Sequence, residues 1–354
     1  MSDEEILFDA QGGVGLVTLN RPKALNALNL TKVRAMDPQL RAWAKAPGIR
    51  LAVIEGAGEK AFCAGGDVRK VYDAALVDDQ PTIDAFFREE YRLNRLIKTY
   101  PKPYVALLDG ITMGGGVGLS IHGGHRVATE RILFAMPETG IGMIPDVGGT
   151  YFLPRLEGGL GLYLALTGAR LKAADSLYVG LCQYHVPSER LEDLKAALRE
   201  SDARDDAAVA EVLRGFHVDP GPAPLAAVRA DIDRVFAGAG SVAEVMARLD
   251  AEDTEWATKT KALLLTKSPF ACLATFKQMT LGSTLDFDAC MGLEFRVAPR
   301  ITRQPDFLEG IRAVLVDKDN APKWADATLE TVDVAVVDSL FEPRPGDELA
   351  FDEI

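Results

Sequence analysis

The 354 residues, 48% hydrophobic and 26% charged, suffice for one large domain with an appendage or for two domains, and are too apolar for disorder. A formal net charge of −13 argues against nucleic acid or an anionic membrane as the main partner, so an anionic ligand would need a local basic patch. Cys63, Cys182, Cys272 and Cys290 lie far apart without a CxxC, which argues against a zinc cluster or disulfide framework and fits a reducing compartment. The start, MSDEEILFDA, lacks an apolar h-region and an Arg-rich transit pattern, and no run of ~18 apolar residues occurs, so a cytoplasmic protein without a membrane span is expected.

In chain order, VGLVTLN (14–20) reads as a strand ended by Arg21-Pro22. Leu30, Val33, Met36, Leu40 and Trp43 recur at helical spacing. LAVIEG (51–56) and PYVALLDG (103–110) are buried strands, and HRVATE (125–130) and ILFAM (132–136) are shorter candidates. Strands alternating with helices predict an α/β layered core over 1–190. From Ser188 the chain turns charged, alanine-rich and helical. A connecting region over 191–265, interrupted by PGPAP (220–224), then leads to a helical C-terminal region over 266–354 whose acidic end, GDELAFDEI, is expected to be loosely held.

Two glycine turns each follow a buried strand: KAFCAGGD (60–67) and DGITMGGGVGLSIHGG (109–124). In the second, Gly114–Gly116 would open a short helix that Gly123 closes. Free N–H groups at such turns could aim two donors at one oxygen, while close helix–strand packing explains the same glycines. Neither stretch is a dinucleotide or phosphate-loop fingerprint, and Ser120 lies in no G-x-S-x-G.

MPETGIGMIPDVGG (136–149) sets two acids, Glu138 and Asp146, each behind a proline, in an otherwise apolar stretch. Each proline removes a donor, so both acids begin turns. Asp146 also suits a helix N-cap and Glu138 a surface turn. A third acid, Glu90, lies on the apolar stripe of a helix over 83–97 and needs a partner or a role, with Arg88 or Arg92 as candidate partners. His122 and His125 bracket two glycines in poor metal geometry, and no metal site is expected.

LNRPKALNALN, KAFCAGGD, ITMGGGVGLS, MPETGIGMIPDVGGTYFLPRL and EGIRAVLVDKDNAPKW together resemble the enoyl-CoA hydratase/isomerase (crotonase) superfamily, and within it the 3-hydroxyisobutyryl-CoA hydrolase branch. The likeness runs from about residue 6 to about 325 and is weakest over 188–265. It implies a crotonase (ClpP-like) α/β fold, a spiral of ββα units with C-terminal helices covering the site. It implies an acyl-CoA thioester as substrate, no cofactor beyond the coenzyme A within that substrate, and an oxyanion hole from the amides of Gly66 and Gly115. By motif position Glu138 and Asp146 are the catalytic acids, with Glu90 and Gly115 also touching substrate. Lys23, Ala24, Ala64, Asp67 and Lys323 fall at coenzyme A-contacting positions. Hydratases of the superfamily carry a glutamate where this chain has Gly118, which favours thioester hydrolysis, with Glu138 as nucleophile or as general base toward water. Hydration of a short-chain enoyl-CoA and an inactive crotonase-fold interaction protein are the alternatives. Members often form trimers or hexamers, but the C-terminal part could cover the trimer surface, so homo-oligomerisation stays open.

Overall fold

A computed structural model describes residues 4–353. Strands β1 (Ile6–Gln11) and β2 (Val14–Leu19) form an antiparallel hairpin, and helix α1 (Leu30–Lys45) follows, its first turn capped by Asn29. The chain then repeats one step three times: a strand in a six-stranded sheet, then a short strand in a separate three-stranded sheet. The pairs are β3 (Leu51–Gly56) with β4 (Ala61–Cys63), β5 (Tyr104–Leu108) with β6 (Ile111–Met113), and β7 (His125–Ala128) with β8 (Leu133–Ala135). With β9 (Tyr184–His185) the large sheet has the order β1-β2-β3-β5-β7-β9, parallel from β2 onward, and the small sheet is β4-β6-β8. This is the expected ββα spiral.

Burial on both faces explains why the long strands read as continuous apolar runs. Val17, Leu19, Ile54, Ala106 and Leu108 enter the main core, while the alternate residues Leu16, Val53, Val105, Leu107 and Val127 enter a second one.

Each small-sheet strand leads into a helix or turn. Helices α2 (Val68–Leu76) and α3 (Gln80–Lys98) follow β4, and the single-turn α4 (Gly115–Gly118) follows β6. After β8 come a 3-10 turn over Glu138–Ile141 and the short α5 (Gly149–Phe152). The helix expected to run to Gly123 therefore stops earlier, where the Ser120 hydroxyl bonds the Gly116 and Val117 carbonyls. Gly116 serves close packing: a Cβ there would lie 2.2 Å from the Cys63 carbonyl oxygen.

Helices α6 (Leu160–Thr167) and α7 (Ala173–Tyr178) precede β9. The segment 191–265 then divides between two places. Helices α8 (Leu191–Glu200) and α9 (Asp206–Arg214) close the second core through Leu194, Leu198, Val209 and Leu213. Helices α10 (Arg229–Phe236), α11 (Val242–Ala251) and α12 (Glu255–Leu264) gather at α6 and the main core. Next come α13 (Pro269–Gly282), against α5, α14 (Phe287–Ile301), against α3, and α15 (Pro305–Ile311), against α2 and the 138–141 turn; α16 (Val334–Ser339) is the last helix.

The acidic end is not loosely held. Arg88, Arg92 and Arg95, one ridge of α3, donate to the carbonyls of Glu348, Ala350 and Asp352, and Arg344 pairs with Asp84 at 2.7 Å. An arginine ladder 250 or more positions away in the chain supplies what the tail's own composition lacks. Among the described residues no helix is long and apolar enough to cross a membrane.

Candidate active site

Strands β4 and β6 run parallel, so the two glycine turns leave the small sheet side by side. The loop at 25–28 is laced to the first turn: Ala64 N–H donates to the Leu25 carbonyl, Leu28 N–H to Gly65 and Asp67 N–H to Leu28. Leu25 and Asn26 take positive φ, and the buried Lys32 ammonium, lowered to about 8 by burial, donates to the Asn26 and Ala27 carbonyls at 3.0 Å. After this lacing the Gly66 N–H has no acceptor among the described residues, and neither has that of Gly115, at the first position of α4. The two abut: a Cβ on Gly115 would lie 3.1 Å from Gly66 N.

Both glycines line a cavity of about 100 Å³, together with Ala64, Glu90, Glu138 and Asp146. Phe86, Phe87, Met113, Ile141, Met143 and Val147 make the rest of the wall apolar. One oxygen of Glu90 and one of Glu138 are buried without a hydrogen-bond partner among the described residues. The partners proposed for Glu90 are engaged elsewhere: Arg88 bonds Asp347 and the Glu348 carbonyl, and Arg92 bonds the Ala350 carbonyl. Buried acceptors left open beside a cavity call for donors from a ligand or water.

Asp146 does not cap α5. Its carboxylate accepts from the Tyr91 hydroxyl at 2.6 Å, while the Gly148 and Thr150 amides donate to Glu294 of α14 at 2.8 and 2.9 Å. The backbone here is strained, because the β-branched Val147 sits at φ +50°, at a cost of about 1–3 kcal/mol. His122 Nε2 lies 2.7 Å from the Val147 carbonyl, and burial pulls this imidazole down to about 3, so it is a neutral donor. At Gly118 a Cβ would lie 2.7 Å from Val147 Cβ and 2.8 Å from Asn94 Nδ2, so that position has no room for a carboxylate side chain.

The acids perturb one another. Burial, then the Asp146 charge, raises Glu138 well above the usual carboxylate range; burial, then Asp146 and Glu294, does the same to Glu90. Burial lifts Asp146 to about 6 against the opposing Tyr91 hydrogen bond, and burial with the Asp146 charge lifts Glu294 to about 8. Such a set holds shared protons at neutral pH, and its titrations belong to the cluster.

Of the residues expected at coenzyme A, Ala64 lines the cavity. Lys23 and Ala24 are exposed on a 3-10 turn just before Leu25, whose carbonyl receives Ala64 N–H. Asp67 pairs with Arg21 at 3.2 Å. Lys323 is exposed on the segment after α15, its N–H on Glu309, with the next residue, Trp324, bonded to the Thr266 carbonyl; it does not line the cavity. Sequence reasoning missed Tyr91, Asn94, Gln278 and Glu294, and weighed His122 only as a metal ligand. Glu294 carried the signal that exposed Glu90, an acid on a core-facing helical stripe, here between Cys290 and Ala298.

The profile of a family described as enoyl-CoA hydratase/isomerase matches residues 14–341. A protein of Danio rerio named 3-hydroxyisobutyryl-CoA hydrolase, mitochondrial, is 48% identical over 95% of this chain and 89% of its own. One of the same name from Homo sapiens is 42% identical over 98% and 91%. Among solved structures, one titled a carnitinyl-CoA dehydratase from Mycobacterium thermoresistibile superposes with a TM-score of 0.92 at 41% identity, covering 99% of both chains. Another, titled an enoyl-CoA hydratase from Rhodobacter sphaeroides 2.4.1, gives 0.89 at 39%, covering 98% of this chain and 100% of its own. Together with the ββα spiral and its glycine turns, these matches show that the chain belongs to the enoyl-CoA hydratase/isomerase family.

Proposed function

We propose that this chain is a 3-hydroxyisobutyryl-CoA hydrolase that splits the thioester into 3-hydroxyisobutyrate and coenzyme A, a step of valine breakdown. The observation that carries the reading is the convergence of Gly66, Gly115, Glu138, Asp146 and Glu90 on one small cavity, while Val147 and Asn94 occupy the space over Gly118. Hydration in this superfamily uses a second glutamate at that position; here Asp146 and Glu90 are the acids that line the cavity with Glu138. The curated relatives' names support the same reading.

The thioester oxygen accepts from the Gly66 and Gly115 amides, which stabilise the oxyanion as the carbonyl carbon becomes tetrahedral. Glu138 acts on that carbon, by direct attack to an anhydride or by taking a proton from the attacking water; a raised pKa strengthens it as a base. On either route the C–S bond breaks and the departing sulfur takes a proton to leave as the thiol. On the base route Glu138 carries that proton from the water whose oxygen enters the acid. On the anhydride route Glu138 first displaces the thiolate, and water then opens the anhydride, releasing the proton. In a single turnover in oxygen-18 water, label found in Glu138 marks the anhydride route, in which water opens the anhydride at the Glu138 carbon and the acid leaves with a Glu138 oxygen; the base route puts the label only in the acid. The open Glu90 oxygen and Asp146 receive the substrate 3-hydroxyl and orient water. No cofactor is needed beyond the coenzyme A of the substrate. Lys23, Ala24, Ala64, Asp67 and Lys323 belong to the coenzyme A surface of the proposal.

Four free, buried thiols support a reducing compartment; the curated relatives carry the word mitochondrial, so the cytoplasmic expectation draws no support from them. Self-association is a further part of the proposal, and light scattering counts the subunits.

The test is thiol release from 3-hydroxyisobutyryl-CoA and isobutyryl-CoA. Preference for the hydroxylated ester, lost in Glu90→Gln, is expected; equal turnover of the two would overturn the assigned role of Glu90 and Asp146.

A further inference from the structure

The segment 145–150 gives four of its polar backbone groups to side chains from distant elements. Gln278 Nε2 donates to the Pro145 carbonyl and Thr150 Oγ1, both at 2.6 Å, and His122 holds the Val147 carbonyl. An acid just ahead of a short helix ordinarily turns its own carboxylate onto the first amides. Here Glu294, from α14, already holds the Gly148 and Thr150 amides, one on each oxygen. Glu294 is fully buried, the Asp146 charge adds to burial in raising it, and it makes no ion pair among the described residues. A neutral side chain would fill the same space without the cost of a buried acid near a second one. A carboxyl group sets one acceptor oxygen on each of the two amides, where a Gln would face one of them with its NH2.

We propose that Glu294 is a positioning residue. By capping α5 from another helix it removes the amides that Asp146 would otherwise bond, and so keeps the Asp146 carboxylate on Tyr91 and toward the cavity. The inference rests on the reading of Asp146 as a working acid of the site.

Two variants test it, Glu294→Gln, near-isosteric but with one acceptor, and Glu294→Ala. In Glu294→Gln, kcat for thiol release is expected to fall about 10–100-fold with KM within about threefold. Added to Asp146→Asn, the same change should cost less than about threefold, because both act through one group. In a crystal structure of Glu294→Ala the Asp146 carboxylate should leave Tyr91 for the Gly148 and Thr150 amides; where this variant does not fold, the Gln variant carries the structural test. Losses that multiply in the double variant, or an Asp146 carboxylate that stays on Tyr91, overturn the proposal. Should the unaltered protein release no thiol from any acyl-CoA, the hydrolase reading fails on its own, and the crystal structures still decide the role of Glu294.

Discussion

The Glu138 and Asp146 turns begin alike, an acid behind a proline in an apolar stretch, and are held in place differently. The first is largely self-supporting: a 3-10 turn over Glu138–Ile141, Met143 N–H on the Glu138 carbonyl, Gly142 at φ +71°, with Thr139 tied to the Leu166 carbonyl and Ser268 N–H. The second is strained at Val147 and depends on Tyr91, His122, Gln278 and Glu294, from four other places in the chain. The acid proposed to act on the carbonyl is thus fixed mainly by local chemistry. The acid proposed to set this site apart from a hydratase is fixed by tertiary structure.

Substitutions should separate the two turns. Glu138→Gln should give the largest loss, on the order of 1,000-fold or more in thiol release, with acyl-CoA affinity by calorimetry unchanged. Gly115→Ala should follow, at about 100–1,000-fold, because its Cβ would sit 2.7 Å from Glu90 Oε1 and 3.1 Å from Gly66 N, between the two amides. Asp146→Asn should cost about 10–100-fold and move the acid limb of the pH profile to lower pH, because the Asp146 charge, after burial, helps to raise Glu138.

The same variant should be more stable. Burial raises Asp146 from 3.8 to about 6 in the fold, so the folded state favours the neutral form, and stability is lost as pH rises through about 6. Asn removes that loss, worth roughly 3 kcal/mol at most, above pH 6 and gains nothing below about pH 4. Unfolding measured at both pH values checks the sign. The smallest effect belongs to the outer face of α3, whose inner face carries Tyr91 to Asp146. Arg92→Ala cuts one contact to the tail and should lower stability by under about 1 kcal/mol, leaving kcat unchanged.

Much of this was legible in the sequence where the cause is local. The long strands read as apolar runs because both faces are buried, the glycine turns announced their free amides, and Glu90 stood out on an apolar stripe. The three-residue strands β4 and β6 are too short to show a period, while β8 falls within the expected strand ILFAM. Tyr91 looks like any aromatic of the α3 core face until Asp146 meets its hydroxyl. Asp146 read as an N-cap because its competitor for the α5 amides, Glu294, lies more than 140 positions on. The tail read as loose because its partners are arginines on α3. In each case a long-range partner decided the outcome, and composition near the residue carried no trace of it.

The most direct test of a thioester-cutting site assays the purified protein side by side for thiol release from 3-hydroxyisobutyryl-CoA and for loss of the crotonyl-CoA double bond. Fast thiol release that disappears in Glu138→Gln, with little consumption of the double bond, is the predicted result; rapid hydration of crotonyl-CoA without thiol release would contradict the account.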